Sequence, residues 1–222
     1  NSTLFDEELK KHENIKLILN LNKEKEKNLY NMHNFLITNN FLDIEDLSYL
    51  NLINCKKFIC NNCNLKKLPI LNNCNYLDCN SNIIDKLPLL NNNIFLNCSY
   101  NKLTIINLDD FKSNEVFICN NNNISLLPEL NKTIILDCSF NKIENIKGLK
   151  NCKELICNNN NINNLPKLKN CIRLIANNNK LQNIHSFEKC KYIDISNNNI
   201  SFLPSLFSCI ELNCSNNNIK YL

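Results

Sequence analysis

The fourteen cysteines are the residues of this sequence best suited to chemistry, because thiolates bind metals and attack electrophiles. Cys60 and Cys63 have the Cys-x-x-Cys spacing that occurs in zinc sites. No nucleophile–base pair includes any of the three isolated histidines, which are His12, His33 and His185. With a single glycine in the chain, a glycine-rich phosphate-binding loop cannot form. We therefore predict no catalytic residues and no cofactor.

The elements that must position these cysteines come from a repeated phrase: apolar, any, apolar, any, any, Asn, any, Leu or Ile. The apolar residue that opens each copy defines position 0, and the openers are Phe35, Phe58, Leu77, Leu96, Phe117, Leu136, Leu155, Leu174, Ile193 and Leu212. The sequence numbers of successive openers differ by 23, 19, 19 and 21, and then by 19 five times. A short fixed period predicts stacked units, each of which buries its core only against its neighbours.

Every cysteine falls in one of three columns of this repeat: seven at position +2, six at −3, and Cys63 in place of the Asn at +5. Alternating apolar residues at 0 and +2 predict a short strand with these side chains in the core. Buried Cys acts as a small hydrophobic residue. Thiols in register on parallel strands, about 4.8 Å apart, are too distant for a disulfide. We therefore predict reduced buried thiols, no metal site, and an intracellular, cytoplasmic setting.

Position +5 predicts a ladder of buried amides that satisfy backbone groups of the turn after each strand. The ladder residues are Asn40, Asn82, Asn101, Asn122, Asn141, Asn160, Asn179, Asn198 and Asn217. All five prolines lie at +11, where the chain has left the strand and no sheet donor is lost. Because so short a unit has no room for an α-helix of average length, we expect extended or 3₁₀ segments on the return path.

The phrases, of the form L-x-[CL]-x-x-N-x-[LI], resemble the leucine-rich repeat family over residues 32–222. Copies followed by Leu-Pro, such as Leu165-Pro166, resemble the short class of bacteria, large DNA viruses and some parasites. Copies without it, such as residues 143–149, resemble the class of phosphatase-regulating repeat proteins. The resemblance implies an α/β fold: a curved right-handed solenoid with a concave parallel sheet of about ten strands and a convex side of mostly extended or 3₁₀ segments.

The N-terminal segment does not follow the repeat. We predict that residues 1–31 form an N-terminal helical cap on an array of about ten repeats in residues 32–222, since terminal repeats need a polar cover. The stretch 44–53 has room for a second short helix. The sequence stops at Leu222 within a repeat, so we expect the array to belong to a longer protein.

Positions −1, +1, +3 and +4 should point outward on the strand side of the solenoid. Columns +3 and +4 are mostly Asn and Ser, whereas −1 and +1 vary, with a continuous apolar row at −1. Exposed apolar and aromatic residues mark interaction sites. We predict a partner-binding surface formed by Tyr76, Asp78, Phe95, Tyr100, Val116, Ile118, Ile135, Asp137, Phe140, Ile156, Ile175 and Tyr192. The alternative is that these side chains only stack on one another along the sheet.

Charge narrows the class of partner. The outward columns hold two basic residues, Lys57 and Arg173, against five acidic ones, although the whole chain has a net charge of +4. Nucleic acid is therefore disfavoured, because phosphate binding needs clustered Lys or Arg, and no apolar run is long enough to span a membrane. We predict a non-catalytic module for protein–protein interaction.

Two alternatives remain open at this point. One is a substrate-targeting arm of a larger enzyme, such as a ubiquitin-ligase-like effector, which the resemblance to bacterial effectors allows. If the protein is a viral or parasite effector, we expect it in the host-cell cytoplasm. The other is a structural array without a dedicated partner.

Overall fold

The computed structural model describes the backbone of residues 34–36 and the whole of residues 45–106 and 113–220. In these ranges ten short strands form one sheet. The strands are β1 (Asn34–Leu36), β2 (Lys57–Ile59), β3 (Tyr76–Asp78), β4 (Phe95–Asn97), β5 (Val116–Ile118), β6 (Ile135–Asp137), β7 (Glu154–Ile156), β8 (Arg173–Ile175), β9 (Tyr192–Asp194) and β10 (Glu211–Asn213). Each strand covers positions −1, 0 and +1 of its repeat, so the alternating phrase predicted the strands at their observed places.

Neighbouring strands pair in parallel, in chain order from β1 to β10. The register aligns equivalent positions, so that Phe58 lies beside Leu77 and Leu77 lies beside Leu96. Parallel pairing requires a return segment between strands, and each repeat supplies one. The molecule is thus a parallel β-solenoid, and the prediction of stacked repeats with a parallel sheet is confirmed.

One hydrophobic core extends along the solenoid. The openers from Phe58 to Leu174 are fully buried, as are the +2 residues from Cys60 to Ala176. Burying a large apolar side chain stabilises the fold by about 1.5–3 kcal/mol, so the repeated columns supply most of the stability. The opener of β10, Leu212, is 38% exposed because no described strand covers it.

The return segments are extended, with turns and isolated β-bridges, and the described ranges contain no α-helix or 3₁₀-helix. The prediction of a short helix over 44–53 is wrong for residues 45–53, where Asp46 bridges to Lys67 and Asn51 bridges to Ile70. Leu47 N–H and Leu52 N–H bond to the next repeat, to the carbonyls of Lys67 and Ile70 at 3.0 Å, whereas the single turn from Leu50 N–H to the carbonyl of Leu47 is local. The predicted helical cap, residues 1–31, lies outside the described residues.

The single glycine stands where two return segments approach closely. Gly148 has φ of +83° and forms an isolated bridge with Leu130. A Cβ at this position would lie 2.9 Å from the backbone nitrogen of Leu130, so a larger residue would force the two repeats apart.

Candidate interaction surface

The side of the sheet that carries positions −1 and +1, together with the adjoining +3 and +4 positions of the turn, is called the outward face below. Its geometry depends on the Asn side chains at position +5. The amide nitrogen of Asn101 lies 3.0–3.1 Å from three carbonyl oxygens, those of Cys79 in the preceding repeat and of Cys98 and Ser99 in its own. Its Oδ1 accepts from Ile84 N–H at 2.9 Å. The amide of each Asn therefore ties its repeat to the preceding one.

Equivalent bonds to the preceding repeat are made by Asn82, Asn122, Asn141, Asn160, Asn179, Asn198 and Asn217. The remaining predicted ladder residue, Asn40, lies outside the described residues. The ladder fixes the turn after each strand and so determines where the outward side chains stand.

Position +4 has a left-handed backbone in every repeat from β2 to β10, with φ between 52° and 56°. Asn fills this position in six repeats: Asn62, Asn121, Asn159, Asn178, Asn197 and Asn216. Among residues with a Cβ, Asn is one of the few that adopts this region readily. The recurring Asn was the sequence signal for this conformation, and the prediction of a plain polar floor missed it. The exceptions are Ser81, Tyr100 and Phe140.

Polar side chains at position +1 brace the same turn. Oδ1 of Asp137 accepts from the N–H and the hydroxyl of Ser139, at 3.1 and 2.7 Å. Asp194 accepts in the same way from Ser196, and Asp78 accepts from the side chains of two neighbouring Asn residues. These carboxylates therefore have a structural role beside the predicted role in binding. The Asp-x-Ser spacing was the available sequence signal.

The thiols lie inside the solenoid, and all fourteen are free. Twelve are buried, whereas Cys209 and Cys214 are partly exposed. Burial raises the pKa of the fully buried +2 thiols from Cys60 to Cys157, as at Cys79 and Cys119, and raises the pKa of Cys63 to about 11. A thiol that stays protonated is a poor nucleophile and a poor metal ligand. Within residues 45–106 and 113–220, no group of three or more His, Cys, Asp or Glu is placed to hold a metal ion.

Cysteines at position −3 are also hydrogen-bond donors. The thiol of Cys74 donates to the carbonyl of Tyr76 at 3.0 Å, and Cys152 does the same to Glu154 at 3.2 Å. The thiols thus satisfy a carbonyl at the start of the strand, which the prediction of purely hydrophobic cysteines did not include.

Three buried polar side chains replace cysteine at −3 in the middle of the array. The amide of Asn114 donates to Oδ1 of Asn93 at 3.1 Å, and the hydroxyl of Thr133 donates to the carbonyl of Asn114 at 3.1 Å. The amide of Asn93 donates to the carbonyl of Cys74 at 3.3 Å. Sequence reasoning missed this second, short ladder, although three consecutive polar residues in a cysteine column were its signal.

The apolar row at position −1 is continuous in the sheet. Tyr76, Phe95, Val116 and Ile135 lie side by side, and all four are half-buried. The rings of Tyr76 and Phe95 stack with centroids 4.2 Å apart and an interplanar angle of 4°. Nζ of Lys57 lies 5.0 Å from the centroid of Tyr76. The row is therefore ordered by contacts among its own members and still presents an apolar edge to solvent.

Charged residues extend the −1 column beyond this row. Nη1 of Arg173 lies 2.5 Å from Oε1 of Glu154, and Tyr192 follows on the next strand, 42% exposed. Because Arg173 is paired with Glu154, it is not available to pair with the acidic residues at position +1.

Two aromatic side chains at position +4 stand out from the polar column. Tyr100 is 57% exposed and Phe140 is 51% exposed, which makes them the most exposed members of the predicted surface. The +1 residues Ile118, Ile156 and Ile175 are half-buried nearby in the sheet. The outward face therefore combines an aromatic half around β3–β6 with an amide-rich half around β7–β10.

The parallel solenoid, its short regular period and the Asn ladder give this chain the leucine-rich repeat fold, and solved structures that share this fold bear out the predicted resemblance. In the part of the chain that is described, no helix is long and apolar enough to cross a membrane.

Three solved bacterial structures share this fold. The functional domain of InlJ from Listeria monocytogenes, which includes a cysteine ladder, matches with a TM-score of 0.76 and 22% identity over 89% of this chain and 47% of that chain. YopM from Yersinia enterocolitica matches with a TM-score of 0.67 and 28% identity over 78% of this chain and 40% of that chain. YopM from Yersinia pestis, described as a leucine-rich effector protein, matches with a TM-score of 0.58 and 22% identity over 75% of this chain and 56% of that chain.

The chain thus spans about half the length of these solved structures. No family model matches the sequence, and no curated protein is significantly similar to it.

Proposed function

We propose that this chain is a non-catalytic protein-interaction module that binds a protein partner on its outward face, the face that the family resemblance makes concave. The observation that carries the proposal is the apolar surface formed by the row from Tyr76 to Ile135 and by the exposed rings of Tyr100 and Phe140. Apolar surface of this kind with a polar rim is typical of a binding site. The similarity to YopM, an effector protein with the same fold, supports an interaction role.

The charges of the outward face favour a partner with basic residues. Asp78, Asp137 and Asp194 lie on its strands, and one of its two cations is paired with Glu154. Such a face repels phosphates, which supports a protein partner over nucleic acid. The many buried free thiols favour a reducing compartment, inside a cell.

The same surface would also serve in a substrate-targeting arm whose catalytic domain lies elsewhere in a longer protein. The resemblance to bacterial effectors motivates this second candidate, and a solved effector structure has the same fold. The two candidate functions differ in one outcome. A targeting arm would belong to a full-length protein that modifies the captured partner chemically, whereas an interaction module would only bind it.

Affinity purification from a cell lysate with quantitative mass spectrometry tests the proposed function. The test variant carries Tyr76→Ser, Phe95→Ser and Phe140→Ser, and the matched control carries Ile70→Ser, Leu89→Ser and Leu126→Ser, three exposed apolar residues of the return segments. Because anchor residues contribute about 2 kcal/mol or more each, we expect the test variant to lose its partner about tenfold or more and the control to retain it. A test variant that folds and captures the same proteins as the unmodified chain would contradict the proposal.

A further inference from the structure

Tyr100 and Phe140 occupy a backbone conformation that is unfavourable for an aromatic residue. Both have φ of 52°, in the left-handed region where Cβ crowds the following carbonyl. Most other repeats place Asn there, which tolerates this region. The two rings are also more than half exposed, so burial does not offset the strain. A strained residue that gains little from packing points to a function.

The conformation is fixed by the neighbouring repeats. The N–H of Tyr100 donates to the carbonyl of Asn120 at 2.9 Å, and its own carbonyl accepts from the N–H of Asn82 at 3.1 Å. Phe140 makes the equivalent pair of bonds, at 2.9 and 3.3 Å, with the repeats on either side of it. Neither residue can relax to a more favourable φ without breaking bonds in two directions.

The two rings are separated by one repeat that has no ring at this position. Tyr100 follows β4, Phe140 follows β6, and the intervening repeat carries Asn121 at +4 and Ile118 at +1. Two strand spacings correspond to about 9.6 Å. An aliphatic chain that makes van der Waals contact with one group on each side needs those two groups to be about 8 Å apart. The backbone positions of Tyr100 and Phe140 are therefore far enough apart for one extended side chain to lie between them, over the repeat that carries Ile118 and Asn121. This interval is called the notch below.

An acidic residue adjoins this notch, because Asp137 on β6 lies beside Ile118 in the sheet register. Asp137 belongs to the same repeat as Phe140, and its Oδ1 is engaged by Ser139. Among the described residues Oδ2 of Asp137 accepts no hydrogen bond, and Asp137 forms no ion pair. The two cations of the outward face, Lys57 and Arg173, contact other side chains. The notch thus combines two aromatic side chains, the aliphatic Ile118 and a carboxylate that has no cationic partner within the described ranges.

We propose that this notch receives a lysine or arginine side chain from an extended segment of the partner. The aliphatic stem packs on Ile118 between the two rings, where a cation is attracted by aromatic faces, and the charged end pairs with Asp137. The inference rests on the proposed function and adds to it the chemistry of the partner at this point of the surface.

Selection from a library of random 12-residue peptides, displayed on phage and panned on the whole chain, tests the notch. We expect enriched peptides to contain a Lys or Arg whose replacement by Met weakens binding about tenfold or more. The double variant Tyr100→Asn and Phe140→Asn should bind these peptides about tenfold or more weakly, while its Tm rises because Asn suits the left-handed position. Asp137→Asn should reduce the preference for the basic peptide over its Met version.

The outcomes separate the notch from the proposed function. Peptides that lose binding to the variant Tyr76→Ser and Phe95→Ser, but not to Tyr100→Asn and Phe140→Asn, would overturn the notch and leave the outward face as the binding surface. Peptides insensitive to both variants would overturn both proposals. A Tm that falls with the Asn substitutions, a library without enriched peptides, or enriched peptides without a basic residue would overturn the notch.

Discussion

In this chain, the structural role of a cysteine or an asparagine depends on its position in the repeat. Cysteine at +2 is a hydrophobic residue that is fully buried in every repeat before the last, as at Cys98, whereas cysteine at −3 donates to a backbone carbonyl, as at Cys74. Asn at +5 bonds to the preceding repeat through its side chain, whereas Asn at +4 is present because it tolerates a positive φ. The composition alone cannot distinguish these uses.

Thiol labelling tests the burial of the cysteine columns. We predict that a maleimide near neutral pH modifies Cys209 and Cys214 quickly and modifies the other twelve thiols only on unfolding. Burial excludes the reagent and raises the pKa of most of these thiols, to about 12 at Cys152, so that little reactive thiolate forms. A hydrogen bond with Cys171 lowers the pKa of Cys190, so that thiol is protected by its burial alone. Intact-mass spectrometry of the native and the denatured chain counts the modified thiols. Fast modification of a +2 thiol such as Cys98 would contradict the assigned register.

At the scale of the structural element, the turn after each strand carries more information than the short strand itself. The ladder Asn, the left-handed +4 residue and the +1 side chain all act on this turn. Together they connect it to the repeats on both sides, which explains why short strands stack in register without help from helices in the described ranges.

Removal of one ladder amide should destabilise the solenoid. Asn160→Ala removes the bond that Oδ1 receives from Ile143 N–H and the bonds that its amide donates to Cys138 and Cys157. We expect a loss of about 1–3 kcal/mol in the free energy of unfolding, because partly buried backbone groups lose their partners. The control is Asn183→Ala, an exposed Asn of a return segment, for which we expect a change within about 0.5 kcal/mol. Equal chemical denaturation midpoints for the two variants would mean that the ladder contributes nothing.

The strands, their parallel order and the buried columns could be predicted from the sequence because a strict period constrains every copy at once. The left-handed +4 column and the short ladder of Asn93, Asn114 and Thr133 were missed. Asn is so abundant in the chain that a preference for it at one position is hard to see. The short helix predicted over 44–53 is wrong for residues 45–53. The pattern of apolar residues there does not show whether the backbone groups bond to the next repeat or within a helix. The predicted partner-binding residues remain a prediction.

At the scale of the whole molecule, the array separates its charges. The chain is basic overall, with a net charge of +4, yet the outward face holds more acidic than basic residues. Its apolar and aromatic side chains concentrate around β3–β6, whereas β7–β10 carry mainly Asn, Ser and charged residues. An extended partner would therefore find its apolar anchors in one half and polar contacts in the other.

The most direct test of the central claim is site-specific photocrosslinking to the captured partner. A benzophenone amino acid placed at Phe140 samples the outward face with little change in shape, and the same group at Leu126 samples the exposed return segments. We predict a covalent adduct between chain and partner from position 140 and none from position 126. Adducts that form only from position 126 would contradict the assignment of partner binding to the outward face.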